Sequence, residues 1–465
     1  MANEFDLIVI GSGPGGYVAA IRAGQLGLAT AVVEKDPYYG GTCLHRGCIP
    51  TKALLHTAAM LDEIRGCSRI GLSVAPPELD LARAHEYKDD VVAKNAQGVA
   101  ALLRKNGVTG LHGTGRLTGP HTVEVERDDE SAAYEARHVL IATGSVPREL
   151  PFAAADGRRV INSDHALKLA SVPASLTVLG AGAVGCEFAS IYASFGSRVT
   201  LVEMLPRLLP LEDEEVSAEL ERSFRKRGIR CLTATRVTEV AAGETGVRLA
   251  LEREGGERSE HESEVLLVAV GRAPFTAGLG LEELGVGLDR GYVEVDPFMR
   301  TALPHVYAIG DVVATPWLAH VASSEGILAV EHLAGEEVRP INYDHVPSCT
   351  YCVPEVASVG LTEARARERG YDVATGKFPF SALAKARILR HPEGFVKVVR
   401  EAKYDELLGV HVVGPHATDL IAEACVALRL ESTTEELVRT MHAHPTLSEA
   451  VMEAAHAAVG HSIHV

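Results

Sequence analysis

One arrangement of apolar and polar blocks occurs twice along the chain. In the first copy an apolar run, Phe5-Asp6-Leu7-Ile8-Val9-Ile10, meets the glycine cluster Gly11-Ser12-Gly13-Pro14-Gly15-Gly16. A helical stretch follows to about Gly27, and a second apolar run, Thr30-Ala31-Val32-Val33, closes on Glu34. The second copy reads Leu176-Thr177-Val178-Leu179, then Gly180-Ala181-Gly182-Ala183-Val184-Gly185, a helical stretch to about Gly196, and Arg198 to Glu203. Short apolar runs bounded by glycine read as buried strands, with room between them for one helix. Each copy predicts a strand–turn–helix–strand unit of a parallel sheet, so the fold class is α/β with two Rossmann-like domains.

Outside the copies the pattern changes. From Ala53 to about Gly107 apolar positions recur at helical spacing, beginning with Leu54, Leu55, Ala58, Leu61 and Ile64. Val139-Leu140-Ile141-Ala142-Thr143-Gly144-Ser145 predicts a buried strand ending at glycine, where the chain leaves a domain. Glu264 to Arg272, ending through Gly271, predicts another. From Asn342 onward strand-like segments give way to helices containing Ala422-Glu423 and Leu447 to Val459. No glycine fingerprint occurs there, and the region reads as a separate α+β domain.

Composition sharpens this outline. A chain of 465 residues exceeds one ordinary core and predicts two to four domains. The balance of 45 basic against 62 acidic residues gives a net charge of −17, which argues against nucleic acid or an anionic membrane as the main partner. The N-terminus runs straight into a strand without a signal-like pattern, and no apolar run reaches transmembrane length. The expectation is a soluble, cytoplasmic protein. Its eight cysteines should then be mostly reduced, so a close pair among them reads as catalytic or metal-binding.

The candidate chemistry follows from spacing. In both copies the acidic residue lies 23 positions after the first glycine. Gly11, Gly13 and Gly16, and again Gly180, Gly182 and Gly185, permit a tight turn and close approach of a pyrophosphate to a helix N-terminus. Glu34 and Glu203 would accept the ribose hydroxyls. Glu203 would repel a 2′-phosphate, so the second copy reads as an NAD site, with Arg207 solvated. A few residues past the first copy stand Cys43 and Cys48, in Gly-Gly-Thr-Cys-Leu-His-Arg-Gly-Cys-Ile-Pro-Thr-Lys. Residues five apart in a regular helix are separated by about 7.5 Å along its axis, beyond the roughly 7 Å that a disulfide spans. The pair can close only if the helix breaks before Cys48, and Gly47 permits that bend. Pro50 suits a first helical turn, which places Cys48 near a helix N-terminus that favours its thiolate.

Together these features resemble the disulfide-containing flavoprotein reductases, and within them the dihydrolipoamide-oxidising members most closely. The resemblance covers the whole chain. Its further markers are Ala142-Thr143-Gly144, Thr301 through Ala308-Ile309-Gly310-Asp311, and His442-Ala443-His444-Pro445-Thr446-Leu447-Ser448-Glu449. It implies FAD at the first fingerprint and NAD at the second. It implies an FAD-binding domain over 1–147, an NAD-binding domain over 148–271, a central domain over 272–341 completing the FAD site, and a dimerisation domain over 342–465. Thr143, Gly144, Gly310 and Asp311 would belong to the FAD site and Gly271 to the nucleotide sites. Lys52 would lie near the flavin, paired with Glu187, which approaches the nicotinamide. His444 would act as base toward the dithiol of the other subunit of a homodimer, with Glu449 orienting it. Thr446-x-x-Glu449 also reads as a capping box, which would occupy the same glutamate.

The implied reaction is oxidation of protein-bound dihydrolipoamide by NAD through the Cys43–Cys48 disulfide and FAD, with Cys43 the more exposed sulfur. The implied partners are the lipoyl domain and the subunit-binding domain of a dihydrolipoyl acyltransferase, to which the acidic chain could be steered. Relatives with other substrates fit less well. A glutathione reductase should carry arginines near position 203, a mercuric reductase should end in adjacent cysteines, and a soluble transhydrogenase should lack one cysteine of the pair. A flavoprotein scaffold subunit remains the reading of a different class. Two departures from the resemblance stand out. His45 and Arg46 fill the interior of the cysteine motif, where they could tune its potential. Cys349-Thr350-Tyr351-Cys352 is an added pair, read as two small buried hydrophobes more than as a metal or redox site.

Overall fold

A computed structural model describes residues 4–464. Two compact units account for them, one of residues 4–53, 85–148 and 272–343, the other of residues 54–84, 149–271 and 344–464.

The first unit is built on the parallel strands Thr109–His112, Thr30–Glu34, Glu4–Ile10, Glu130–Ile141 and Val306–Ala308, in that spatial order. Glu4–Ile10 lies in the middle. Leu7 and Val9 enter one apolar cluster with the helices Pro14–Gln25 and Ala319–Leu333, while Ile8 and Ile10 enter another on the opposite face. A strand covered on both faces must be apolar at every position, which is why the run was legible. The strand Glu130–Ile141 begins nine residues before its apolar core at Val139. Its first half pairs antiparallel with Thr122–Arg127, which pairs in turn with Thr114–Leu117. Those added strands are half-exposed and rich in Glu and Arg; Val123 and Val125 alternate with polar residues, a period of two that the sequence reading did not use.

The second unit holds two five-stranded sheets. One has the order Arg230–Leu232, Arg198–Val202, Ser175–Leu179, Val265–Val268 and Val160–Ile161, all parallel. The other is antiparallel, in the order Ser348–Thr350, Glu355–Gly360, Leu407–Gly414, Phe395–Glu401 and Val373–Pro379. The helices Ala417–Arg429 and Glu449–Ala458 contribute to a shared apolar cluster with this second sheet. The helical region predicted from Ala53 resolves into Cys48–Gly66 and Leu81–Lys105. Leu54, Leu55, Ala58 and Leu61 are buried there, and Ile64 is exposed.

The extra cysteine pair divides between two cores. Cys352 is fully buried with Phe188, Tyr192 and Val356, whereas Cys349 packs against the cluster of the antiparallel sheet. Burial pushes the Cys352 thiol up, so it behaves as a small hydrophobe.

Candidate active site

The two glycine turns share one geometry. Gly11 and Gly180 both have φ +102°, a left-handed conformation that glycine alone adopts without strain. A Cβ on Gly16 would fall 1.9 Å from the Gly11 carbonyl oxygen, and one on Gly185 would fall 1.9 Å from that of Gly180. These first and third glycines are therefore fixed by the protein's own backbone. The middle ones are not. A Cβ on Gly13 or Gly182 would meet nothing within 4 Å. Each of these two glycines is the N-cap of its helix, without a side-chain cap. The helix N–H groups are left facing an open cradle, which fits a pyrophosphate.

The strand-end carboxylates brace these turns. Ser12 donates its backbone N–H (3.1 Å) and its hydroxyl to Glu34 Oε2, and the Asp36 N–H donates to Oε1 at 2.9 Å. In the second copy the Ala181 N–H donates to Glu203 Oε2 at 2.6 Å and the Leu205 N–H to Oε1 at 2.9 Å. Both carboxylates are buried.

The cysteine pair grows directly from the first turn. The Gly40 N–H donates to both the carbonyl and the hydroxyl of Ser12. A Cβ on Gly41 would lie 2.6 Å from Gly13 Cα. There the short helix Gly41–Arg46 starts. It stops at Gly47, and a new helix, Cys48–Gly66, begins at once. The break predicted from the spacing is present. A Cβ on Gly47 would press to 3.4 Å from Cys43 Cα and 3.1 Å from the Thr42 carbonyl oxygen. The two cysteine side chains are present as thiols and hydrogen-bond to each other. That bond, then burial, push the Cys43 thiol up, against a lowering pull from the Lys52 ammonium. His45 reaches the Tyr39 carbonyl oxygen (2.9 Å) and Arg46 pairs with Asp36, so both motif departures engage the 36–39 segment.

Thr143 and Asp311 lie in the same unit as this pair. A Cβ on Gly11 would lie 3.1 Å from Thr143 Cα. The Thr143 hydroxyl donates to the Phe275 carbonyl at 2.7 Å. Gly144 has φ +72° and open space where a Cβ would be. Asp311 follows Gly310 and accepts a hydrogen bond from the Ser145 hydroxyl at 2.5 Å. Arg272 in turn donates to both oxygens of Ser145, each at 2.6 Å. Burial raises the Asp311 carboxyl despite Ser145 and Arg272. Sequence reasoning missed Ser145 and Arg272 as site residues. Each stands just after the glycine that ends a predicted strand, a position whose significance shows only when the strands Ser145–Pro147 and Arg272–Pro274 pair.

The second unit carries Glu187, Gly271, His444 and Glu449. Glu187 is buried in the helix Ala183–Phe195, and its Oε1 accepts the Tyr351 N–H at 3.1 Å. Gly271 has φ +104° with open space beside it. Glu449 makes the contact that each of its two readings invokes, with one oxygen for each. His444 Nδ1 lies 2.8 Å from Oε1, and the Thr446 N–H donates to Oε2 at 2.8 Å. The full capping box is not formed. The helix starts at Glu449, two residues later than the box needs, and the Thr446 hydroxyl donates to the Ala443 carbonyl instead. Partial burial would raise the Glu449 carboxyl, but the Thr446 N–H and His444 together bring it below its ordinary range. An anionic Glu449 accepts from Nδ1–H and leaves Nε2 of the exposed His444 as a base. His442 is held likewise by Glu423 Oε1 at 2.6 Å, which raises its imidazole.

Residues 5–326 match the description of the pyridine nucleotide-disulphide oxidoreductases, and residues 346–455 match the dimerisation domain of the same family. The chain belongs to this family. It is 45% identical over its full length to the whole dihydrolipoyl dehydrogenase of Zymomonas mobilis. It is 47% identical over its full length to that of Thermus scotoductus, covering 99% of the relative. The crystal structure of LpdA from Mycobacterium tuberculosis superimposes with a TM-score of 0.89 at 32% identity, covering 97% of this chain and 98% of the other. As an oxidoreductase of this family the chain uses FAD and NAD as cofactors, and it carries the domain through which the family forms dimers. Among the described residues no helix is long and apolar enough to cross a membrane.

Proposed function

We propose that this protein is a cytoplasmic homodimer that oxidises protein-bound dihydrolipoamide, with NAD as final acceptor, within 2-oxo acid dehydrogenase complexes. The observation that carries the reading is the cysteine pair, hydrogen-bonded and built onto the first glycine turn. In the proposed domain plan, residues 1–147 and 272–341 hold FAD, 148–271 hold NAD, and 342–465 form the dimer interface. The lipoyl domain and the subunit-binding domain of an acyltransferase are its partners, the latter steered by the −17 charge.

Bound FAD supplies the acceptor for the dithiol's electrons and the hydride donor for NAD. The protein's residues perform the exchange. His444 of one copy takes a proton from a substrate thiol at the dithiol of the other, and Glu449 holds the resulting imidazolium. The substrate sulfur attacks Cys43 of the oxidised pair, the Cys43–Cys48 bond breaks, and Cys48 leaves as thiolate. The second substrate thiol displaces Cys43 and its proton passes to the departing Cys43 sulfur, which releases the cyclic disulfide. Two electrons have then passed from substrate to the pair, and Lys52 offsets part of the charge beside it.

Steady-state oxidation of dihydrolipoamide tests this. Cys48→Ser should fall to background. Glu449→Gln should lower kcat by about 10²-fold with an unchanged melting temperature, because the amide oxygen still accepts the Thr446 N–H. Undiminished turnover by Cys48→Ser would rule the reading out.

A further inference from the structure

We propose that Glu325 is a positioning residue for the cofactor-holding turn Gly310–Asp311. The inference rests on the FAD reading above and extends it to a residue outside every motif.

Glu325 lies mid-way along the helix Ala319–Leu333, on the stripe formed by Val321, Ala322, Leu328 and Ala329. It is fully buried. A carboxylate in an apolar stripe weakens a helix interface unless both oxygens are engaged. Here they are. Gly310 donates its N–H to Oε2 at 2.7 Å, and Tyr343 donates its O–H to Oε1 at 2.8 Å. A residue serving packing alone would be apolar at this position.

The bond to Gly310 falls on a constrained point of backbone. Gly310 has φ +71°, and a Cβ there would lie 3.2 Å from Ala322 Cβ. The next residue is Asp311, whose carboxylate the Ser145 hydroxyl holds from the other direction. The turn Gly310–Val312 is thus pinned by Glu325 through its backbone and by Ser145 through its side chain. It also abuts the first fingerprint. A Cβ on Gly15 would lie 2.9 Å from Ile309 Cδ1 and 3.0 Å from the Ala322 carbonyl oxygen. Burial raises the Glu325 carboxyl, and the charge of Asp311 adds to that rise. The geometry assigns Glu325 to this turn as its anchor.

The test compares Glu325→Ala, Glu325→Gln and Tyr343→Phe as purified holoenzymes. FAD affinity is read from flavin fluorescence released on dilution, alongside the visible spectrum of bound flavin and the melting temperature. Glu325→Ala should bind FAD about tenfold or more weakly, with a shifted visible band. Glu325→Gln should recover most of the affinity, since its amide oxygen accepts from Gly310 and the Tyr343 oxygen can accept from its NH2. Tyr343→Phe should fall between them. Wild-type affinity and spectrum in Glu325→Ala, or a Gln variant as weak as Ala, would overturn the proposal. Should the Ala variant not fold, wild-type FAD binding by Tyr343→Phe overturns it instead. A wild-type protein without flavin would sink the functional reading itself, whereas normal flavin binding by the variants sinks only this inference.

Discussion

The first and second glycine turns have nearly the same backbone, yet they are braced differently. Gly13 caps its helix at φ −60°, ψ −179°, and Gly182 at φ −72°, ψ −176°. The residue after the first glycine is Ser12 in one copy and Ala181 in the other. The Ser12 hydroxyl donates to Glu34 and accepts the Gly40 N–H, so the first turn is knitted to the segment that starts the cysteine helix. Ala181 offers Glu203 only its N–H. Under the proposed division of labour, that hydroxyl distinguishes the turn that would keep FAD beside the cysteine pair from the turn that would exchange NAD.

The strongest way to break this comparison is to fill each turn. Gly16→Ala and Gly185→Ala both force a Cβ into a carbonyl oxygen, at a cost of about 1–3 kcal/mol locally. Gly16→Ala should yield colourless, inactive protein. Gly185→Ala should keep its flavin spectrum while NAD-dependent turnover falls. Absorption and steady-state assay distinguish them, and identical behaviour would end the proposed division of labour.

A smaller change sharpens it. Ser12→Ala makes the first turn resemble the second, and should weaken FAD binding by about 1–2 kcal/mol without moving KM for NAD. An altered KM for NAD would show that the turns are not independent in the way described.

The smallest effect concerns Asp311, whose buried carboxyl is raised above its ordinary 3.8. A group raised on folding contributes stability that is fully present below its unfolded pKa and lost as pH rises through its folded pKa. At neutral pH the charged form therefore opposes folding. Asp311→Asn should raise the apo-protein's stability by about 1 kcal/mol at pH 7 while loosening FAD, and the gap should shrink as pH falls toward 4. Thermal melts of both proteins across that range provide the measurement.

The parts of the molecule legible in the sequence were those whose side chains all answer to one constraint. Leu7 to Ile10 had to be apolar on both faces, and the first and third glycines of each set had to permit the same turn. The break at Gly47 followed from the reach of a disulfide. What stayed hidden depends on chain segments meeting in space. Thr122–Arg127 shows Val123 and Val125 alternating with polar residues, yet its place beside Glu130–Ile141 shows only in the folded sheet. Ser145 and Arg272 meet only through a two-stranded pairing of distant segments. Glu325 left one local trace, a lone carboxylate in an apolar helical stripe, and that trace could have been read. Glu449 could not be resolved from spacing, because a single residue serves the histidine and the preceding loop with separate oxygens.

Anaerobic two-electron reduction of the holoenzyme, followed by visible absorption, tests the central claim most directly. Wild-type protein should develop a long-wavelength band from contact between the Cys48 thiolate and the oxidised flavin. Cys43→Ser, which has no disulfide to take the electrons, should show the band before any reductant is added, and Cys48→Ser should lack it throughout. A protein that cannot be loaded with flavin, or a band of equal strength in Cys48→Ser, would contradict the account.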